Sequence, residues 1–257
     1  MRKICALALG FGIALPFGAP AAFAAPPSGE PTCLYKTTFI RAAPGKLLDL
    51  LGLYKNWAAM NAAASDEGPW GWRHAEGDQW DLMILTPMGS YTEYYAKERM
   101  DRRAKADAAA PLPRKEFLRQ VAACTAWTED VFVWGPPLAD VKAAFAGAGY
   151  FHLEIFAALP GKQDELYRER RMDNAYQVGI GRPEALIFVR DQGAAWDVFS
   201  LGFYKDLKEW AELGADVPKD KKDAAARAAG FKDASSIGPT MRSLIDLHRD
   251  TIGGAIK

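Results

Sequence analysis

Apolar and polar positions change rhythm along the chain in an order that occurs twice. From Leu34 to Ala42 β-formers dominate and alternate with period two, which predicts a strand. Pro44-Gly45 ends it. From Lys46 to about Ala64 the apolar spacing becomes helical, with Leu47, Leu48, Leu51, Leu53 and Tyr54 on one side. Two short aromatic-rich strands follow, Trp70 to Ala75 and Trp80 to Leu85, around the hairpin signal Glu76-Gly77-Asp78-Gln79. Ser90 is a good N-cap for a helix reaching about Asp107. Small residues 108–113 link it to a helical piece from Arg114 to about Cys124. Asp130 to Trp134 is a closing strand, stopped by Gly135-Pro136-Pro137.

The same order resumes at Tyr150. A strand runs through Leu153 to Ala157, a helix from Lys162 to about Gln177, and hairpin strands over Ala185–Arg190 and Trp196–Leu201. Asp206 stands where Ser90 stood as a cap. Residues 211–222 are polar, further helices follow, and the last strand, near Thr251 to Ile256, is weakened by two glycines. A shift of 116 residues aligns two stretches without a gap. Pro44-Gly45-Lys46 meets Pro160-Gly161-Lys162, Gly77 meets Gly193, Trp80-Asp81 meets Trp196-Asp197, and Glu93 meets Glu209. Two identical short motifs at one offset point to an internal duplication.

Each copy reads strand, helix, strand, strand, helix, strand. A four-stranded sheet with helices on one face leaves the other face bare, and a second copy can cover it. In this the chain resembles the dimeric α/β-barrel superfamily over nearly all of residues 31–257. The resemblance implies an α+β fold: two tandem ferredoxin-like (βαββαβ) units, 25–138 and 139–257, whose antiparallel sheets pair into a barrel with helices outside. That superfamily includes cofactor-free monooxygenases, haem-degrading monooxygenases, chlorite-dismutase-like haem proteins and lactone isomerases, so fold alone does not choose the function. With the pairing supplied inside one chain, the expected state is a monomer or a homodimer.

The first residues read as a secretory signal. Arg2 and Lys3 precede an apolar run from Ile4 to about Phe17, broken by Gly10, Gly12 and Pro16, and Ala22-Phe23-Ala24 is a cleavage site. The run is short of the ~20 residues of a spanning helix, and Cys5 lies too early for a lipid-bearing cysteine. Removal of residues 1–24 would leave a protein of the periplasm or the exterior, with no later span and so no membrane contact. Lysine plus arginine and aspartate plus glutamate both number 32, and no basic block occurs, so nothing recommends a nucleic acid or an anionic surface as partner. Cys33 and Cys124 remain after cleavage. Their places near opposite ends of the first strand exceed the ~7 Å Cα separation a disulfide spans.

Candidate chemistry is sparse. On the first strand of the second copy, Phe151, Leu153 and Ile155 are expected to face the helices, and His152, Glu154 and Phe156 the barrel interior. His152 and Glu154 form a His–carboxylate pair suited to proton transfer, or else an interdomain contact with Lys36. His74 and Arg190 are equivalent in the repeat, and either line a pocket or sit at exposed hairpin ends. Arg170, Asp173, Asn174 and Tyr176 lie on a helix that is charged where its counterpart is apolar, so they either project into a pocket or form a solvated face. Trp57, Trp70, Trp72, Tyr91, Tyr94 and Tyr95 either wall a pocket for a flat ligand or pack as core. Trp80-Asp81 and Trp196-Asp197, being doubled, read as structural.

No metal-ligand spacing, Walker loop, dinucleotide fingerprint or nucleophile elbow occurs, and no motif calls for a cofactor. Three readings follow. One is a small apolar or aromatic molecule held between sheet and helices, for which the resemblance implies cofactor-free oxidation or isomerisation with His74 or His152 as base. Another is haem on His152 or His248, on the resemblance alone. The third is a non-catalytic envelope or stress protein with a filled barrel.

Overall fold

The computed structural model describes residues 31–256; the expected signal segment, Cys5 included, lies outside the described residues. The first unit comprises β1 (Cys33–Ala42), α1 (Leu47–Ala63), β2 (Trp70–Glu76), β3 (Leu82–Gly89), α2 (Tyr91–Tyr94), α3 (Lys97–Ala109), α4 (Arg114–Cys124) and β4 (Thr125–Gly135). A linking helix α5 (Leu138–Gly147) leads to β5 (Tyr150–Ala158), α6 (Gln163–Gly179), β6 (Leu186–Gln192), β7 (Val198–Tyr204), α7 (Leu207–Glu212), α8 (Lys219–Ala228), a 3-10 turn at Ala234–Ser236, α9 (Ile237–Arg242) and β8 (Ile245–Ala255). The caps fall where their chemistry placed them. Ser90 Oγ accepts from the Glu93 amide and Asp206 Oδ1 from the Glu209 amide. The Ser90 helix is shorter than its sequence suggested: it ends at Tyr94, and α3 starts afresh after Ala96.

The eight strands close into a ring in the order β1-β3-β2-β8-β5-β7-β6-β4. Each unit contributes four contiguous strands, and two antiparallel seams join them, β2 with β8 and β4 with β6. The repeated residues explain the joints. Gly77 and Gly193 take positive φ, +118° and +97°, at the tips of the two hairpins. A Cβ on Gly77 would lie 2.2 Å from the Asp250 carbonyl oxygen of β8, and one on Gly193 2.8 Å from that of Asp130 in β4. Each hairpin thus rests on the closing strand of the other unit, and a side chain has no space there. Asp81 and Asp197 are equally symmetric, accepting the Ala42 and Ala158 amides, both at 2.8 Å, where β1 and β5 run out.

The barrel interior is a packed core. Tyr35, Phe39, Trp72, Met83, Val133, Phe151, Leu153, Ile155, Phe188 and Phe199 are all at most 2 % exposed, and belong to one cluster drawn from both units. From α5, Val141 and Phe145 seal one end, Phe145 packing on Trp70, Trp72, Phe151 and Phe203. This reverses the expected facing of β5: Phe151, Leu153 and Ile155 point into the barrel, whereas His152, Glu154 and Phe156 point outward toward the helices. The cause is that lumen packing needs the larger continuous apolar set. The outer face needs only enough to seat helices, as Phe156 does with Leu166, Met241 and Leu244, and as Ile40 does in the first unit with Leu50, Leu53 and Phe117. Cys33 and Cys124 are both free thiols, with Cys124 beyond the far end of β1, its carbonyl accepting the Ala43 amide.

Candidate functional site

Between sheet and helices, each unit has a cavity. In the first it is roomy, about 560 Å³. Trp57 and Met60 of α1, Tyr94, Tyr95 and Met100 wall it, and Lys36, Asp130 and Phe132 form its sheet side. The wall is braced by Asp66, whose side chain is 3 % exposed and accepts from Arg99 at 2.9 Å and Arg103 at 2.6 Å, tying α3 to the end of α1. The Arg103 guanidinium lies 4.0 Å over the Tyr94 ring, a cation–π contact that fixes that ring. At the sheet, Asp130 accepts from Thr38 at 2.5 Å and pairs with Lys36 at 3.3 Å.

The second unit's cleft is small, about 100 Å³, and polar. At about 30 Å³ per water it has room for some three water molecules, an ion with part of its shell rather than a ring system. His152, Glu154 and Ser200 come to it from the sheet, and Arg170 and Asp173 from α6. The Arg170 side chain is 4 % exposed. It donates to Glu169 at 2.6 and 2.7 Å, stands 3.6 Å from Asp173 and 4.0 Å from Glu154, and lies 4.5 Å over the Phe156 ring. Beside the cleft, Glu154 is directly opposite Asp250 across the β5–β8 ladder. His152 Nε2 is 2.9 Å from Asp250 Oδ1, and His248 Nε2 is 3.4 Å from Glu154 Oε1 and 3.5 Å from Asp250 Oδ2. Burial opposes ionisation of Glu154, but His248, His152 and Arg170 together hold its carboxyl down at about 2. Glu154 in turn raises His248 above the usual imidazole range, against the effect of burial. Burial raises Glu169 and Asp173, with Arg170 opposing in both.

Five sequence candidates, His152, Glu154, Arg170, Asp173 and Asn174, line this one cleft. The Asn174 amide is committed to the start of β6, donating to the Ala185 carbonyl and accepting its amide. The remaining candidates lie elsewhere. Tyr176 is half-buried near Asp173, Arg182 and Asp223, off the cleft lining. Trp72 is core, stacked on Phe151. His74 lies at the β2–β8 seam against Trp80, and Arg190 pairs with Asp197 at 2.7 Å. Their backbones are equivalent, each amide donating to the aspartate of the Trp-Asp motif through its carbonyl. What the sequence reading missed is the partner of His152-x-Glu154. His248-x-Asp250 has the same His-x-acid spacing and lies on the adjacent strand, which places both side chains on one face.

Among solved structures the chain is similar to a protein of Lactobacillus acidophilus NCFM proposed to be a monooxygenase, at 7 % identity and a TM-score of 0.53, covering 88 % of this chain and 95 % of that one. It is similar to an anthrone oxidase-like protein at 14 % identity and TM-score 0.53, covering 88 % and 92 %. A third likeness is to a protein of Fusobacterium nucleatum subsp. nucleatum also proposed to be a monooxygenase, at 10 % identity and TM-score 0.52, covering 88 % and 93 %. No protein-family model and no curated sequence matches. The fold is therefore that of the dimeric α/β barrels, with both ferredoxin-like units fused in one chain.

Proposed function

We propose that the protein binds a planar, largely apolar small molecule bearing a polar group in the cavity of the first unit. The observation that carries this reading is the cavity itself. Its ~560 Å³ falls in the range of about 300–1,000 Å³ typical of ligand sites, and its aromatic and thioether walls carry charged groups on the sheet, Lys36 and Asp130, and on the helices, Arg103, Asp107 and Arg114. The packed lumen and the second unit's cleft of about 100 Å³ are not suited to such a ligand. Calorimetric titration with 2-naphthoate as probe tests the proposal. Saturable 1:1 binding that is lost in Ala106→Trp, which fills the cavity from α3, supports it. Binding unchanged by that substitution overturns it.

The carboxylate of Asp130, held by Thr38 and Lys36 at the cavity's sheet side, favours a catalytic reading as well. It is placed to take a proton from an acidic C–H of the bound molecule, the first step of a cofactor-free oxidation or isomerisation. Anthrone, a planar ketone with an acidic methylene, is a suitable probe. Oxygen uptake by the wild type and its loss in Asp130→Asn support oxidation, and no uptake by the wild type refutes it. We also propose export, on the strength of Arg2-Lys3 and Ala22-Phe23-Ala24. Intact mass of the protein from a periplasmic extract should begin near Ala25, and a retained signal segment would refute this.

A further inference from the structure

We propose that the second unit carries a binding site for a divalent transition-metal ion of the zinc class, with His152, Glu154, His248 and Asp250 as ligands. Two imidazoles and two carboxylates form a mixed nitrogen–oxygen donor set suited to such an ion. Glu154, His248 and Asp250 bring one donor atom each within 4.8 Å of one another, and His152 Nε2 joins them through Asp250. The spacings fit a shared centre. Ligand bonds of about 2.0–2.2 Å place neighbouring donors of a tetrahedron about 3.3–3.6 Å apart. His248 Nε2 stands 3.4 Å from Glu154 and 3.5 Å from Asp250. The 2.9 Å separation of His152 from Asp250 is a hydrogen bond that coordination would replace.

A second observation points the same way. His248 Nε2 is sealed from solvent and makes no hydrogen bond of good geometry among the described residues; its polar neighbours are the Glu154 and Asp250 carboxylates, at 3.4 and 3.5 Å, longer than a good hydrogen bond. Its ring is held parallel to Phe156 at 4.6 Å, so the nitrogen is fixed toward the two carboxylates. Glu154 has the outer support a ligand needs: Ser200 Oγ donates to its other oxygen at 3.2 Å.

The duplicated unit supplies an internal control. Repeat and register place Lys36, Thr38, Thr128 and Asp130 where the second unit has His152, Glu154, His248 and Asp250. The fold therefore does not require the quartet. In the first unit a cation is built in, since the Lys36 ammonium stands 3.3 Å from Asp130. In the second unit the lysine is replaced by a ligand, the threonines by a carboxylate and an imidazole, and the built-in cation is gone. Arg170 stands 4.0 Å from Glu154 but divides its charge with Glu169 at 2.6 Å and Asp173 at 3.6 Å. A divalent ion at the centre of the quartet would neutralise Glu154 and Asp250 together.

The test is titration of the whole metal-stripped chain with Zn2+ by calorimetry, and with Co2+ by visible absorption as a report of geometry. The expected result is one ion per chain, with Co2+ bands of four-coordinate intensity. Asp250→Asn changes an exposed side chain and should leave the fold intact, and His248→Ala removes a second ligand. Each should weaken binding by more than the ~10–100-fold typical of losing a residue that only hydrogen-bonds a ligand. Lys36→Ala, in the first unit, should leave affinity unchanged. No stoichiometric binding by the wild type, or equal affinity in wild type and Asp250→Asn, overturns the proposal.

Discussion

Arg170→Met tests whether one buried guanidinium organises the second unit. The arginine side chain is 4 % exposed and that of its bidentate partner Glu169 3 %. Methionine keeps the unbranched apolar stem over Phe156 and removes only the charge and its donors. Glu169, Asp173 and Glu154, now 2.6 to 4.0 Å from the guanidinium, would lose it together. Removing one partner of a buried pair costs about 3–5 kcal/mol. In a chain of this size each kcal/mol lowers Tm by about 2–4 °C, so the expected fall is roughly 6–20 °C. The assay is thermal unfolding followed by circular dichroism, with urea unfolding for the free energy. The double variant Glu169→Gln/Arg170→Met should melt above Arg170→Met, because one of the stranded carboxylates is gone. A fall below 2 °C, or a double variant no more stable than the single one, would refute the reasoning.

Gly77→Ala should destabilise by about 2–5 kcal/mol, since a positive φ and a clash add, whereas Gly45→Ala, with φ +75° and nothing within 4 Å of its Cβ, should cost only about 1–2 kcal/mol. Equal effects in urea unfolding would contradict the seam contact. Asp81→Ala and Asp197→Ala should each cost about 1–3 kcal/mol by stranding the Ala42 or Ala158 amide. They share no partner, so their effects should add within about 0.5 kcal/mol; strong coupling would argue against two independent clamps. Because Cys33 and Cys124 are free, a reductant should leave Tm unchanged, and a drop would reveal a disulfide.

Element order, both caps and the duplication were legible because they rest on local signals: period, cap chemistry and short repeated motifs. The direction each strand face points was not. Alternation in Tyr150–Ala158 separates two sets of side chains, but which set lies inside depends on what fills the lumen, and this is decided by aromatic residues far away in sequence, such as Trp72 and Phe188. The linking helix Leu138–Gly147 went unread although its Val141 is fully buried, since its apolar residues answer to the barrel's end rather than to a helical stripe. The last strand was read as beginning near Thr251 and starts at Ile245. Gly253 is not a weakness, for a Cβ there would lie 2.4 Å from the Arg73 carbonyl oxygen of β2. That shortened reading also hid the pairing of the strands, so His248 was singled out only as a candidate haem ligand and not as the neighbour of His152 and Glu154.

The two seams are short compared with the ladders that β1 and β5 make within their units: β4 meets β6 through Phe132, Val133 and Trp134, and β2 meets β8 through four register pairs, as few as β2 with β3 or β6 with β7. The hydrogen bonds of so short a seam would hold two separate molecules only weakly, and the lumen core shared by both units supplies the rest of the association. Here the partner is tethered by α5, and tethering of this kind gives an effective concentration of the order of millimolar. Closure within one chain therefore outcompetes any second molecule in dilute solution. Refolding at very high concentration should shift that balance, because each unit then finds the same strand edges on a neighbour as on its own second half. The product would be an exchanged dimer with every native strand pair intact, its yield set by protein concentration and linker length rather than by any new contact.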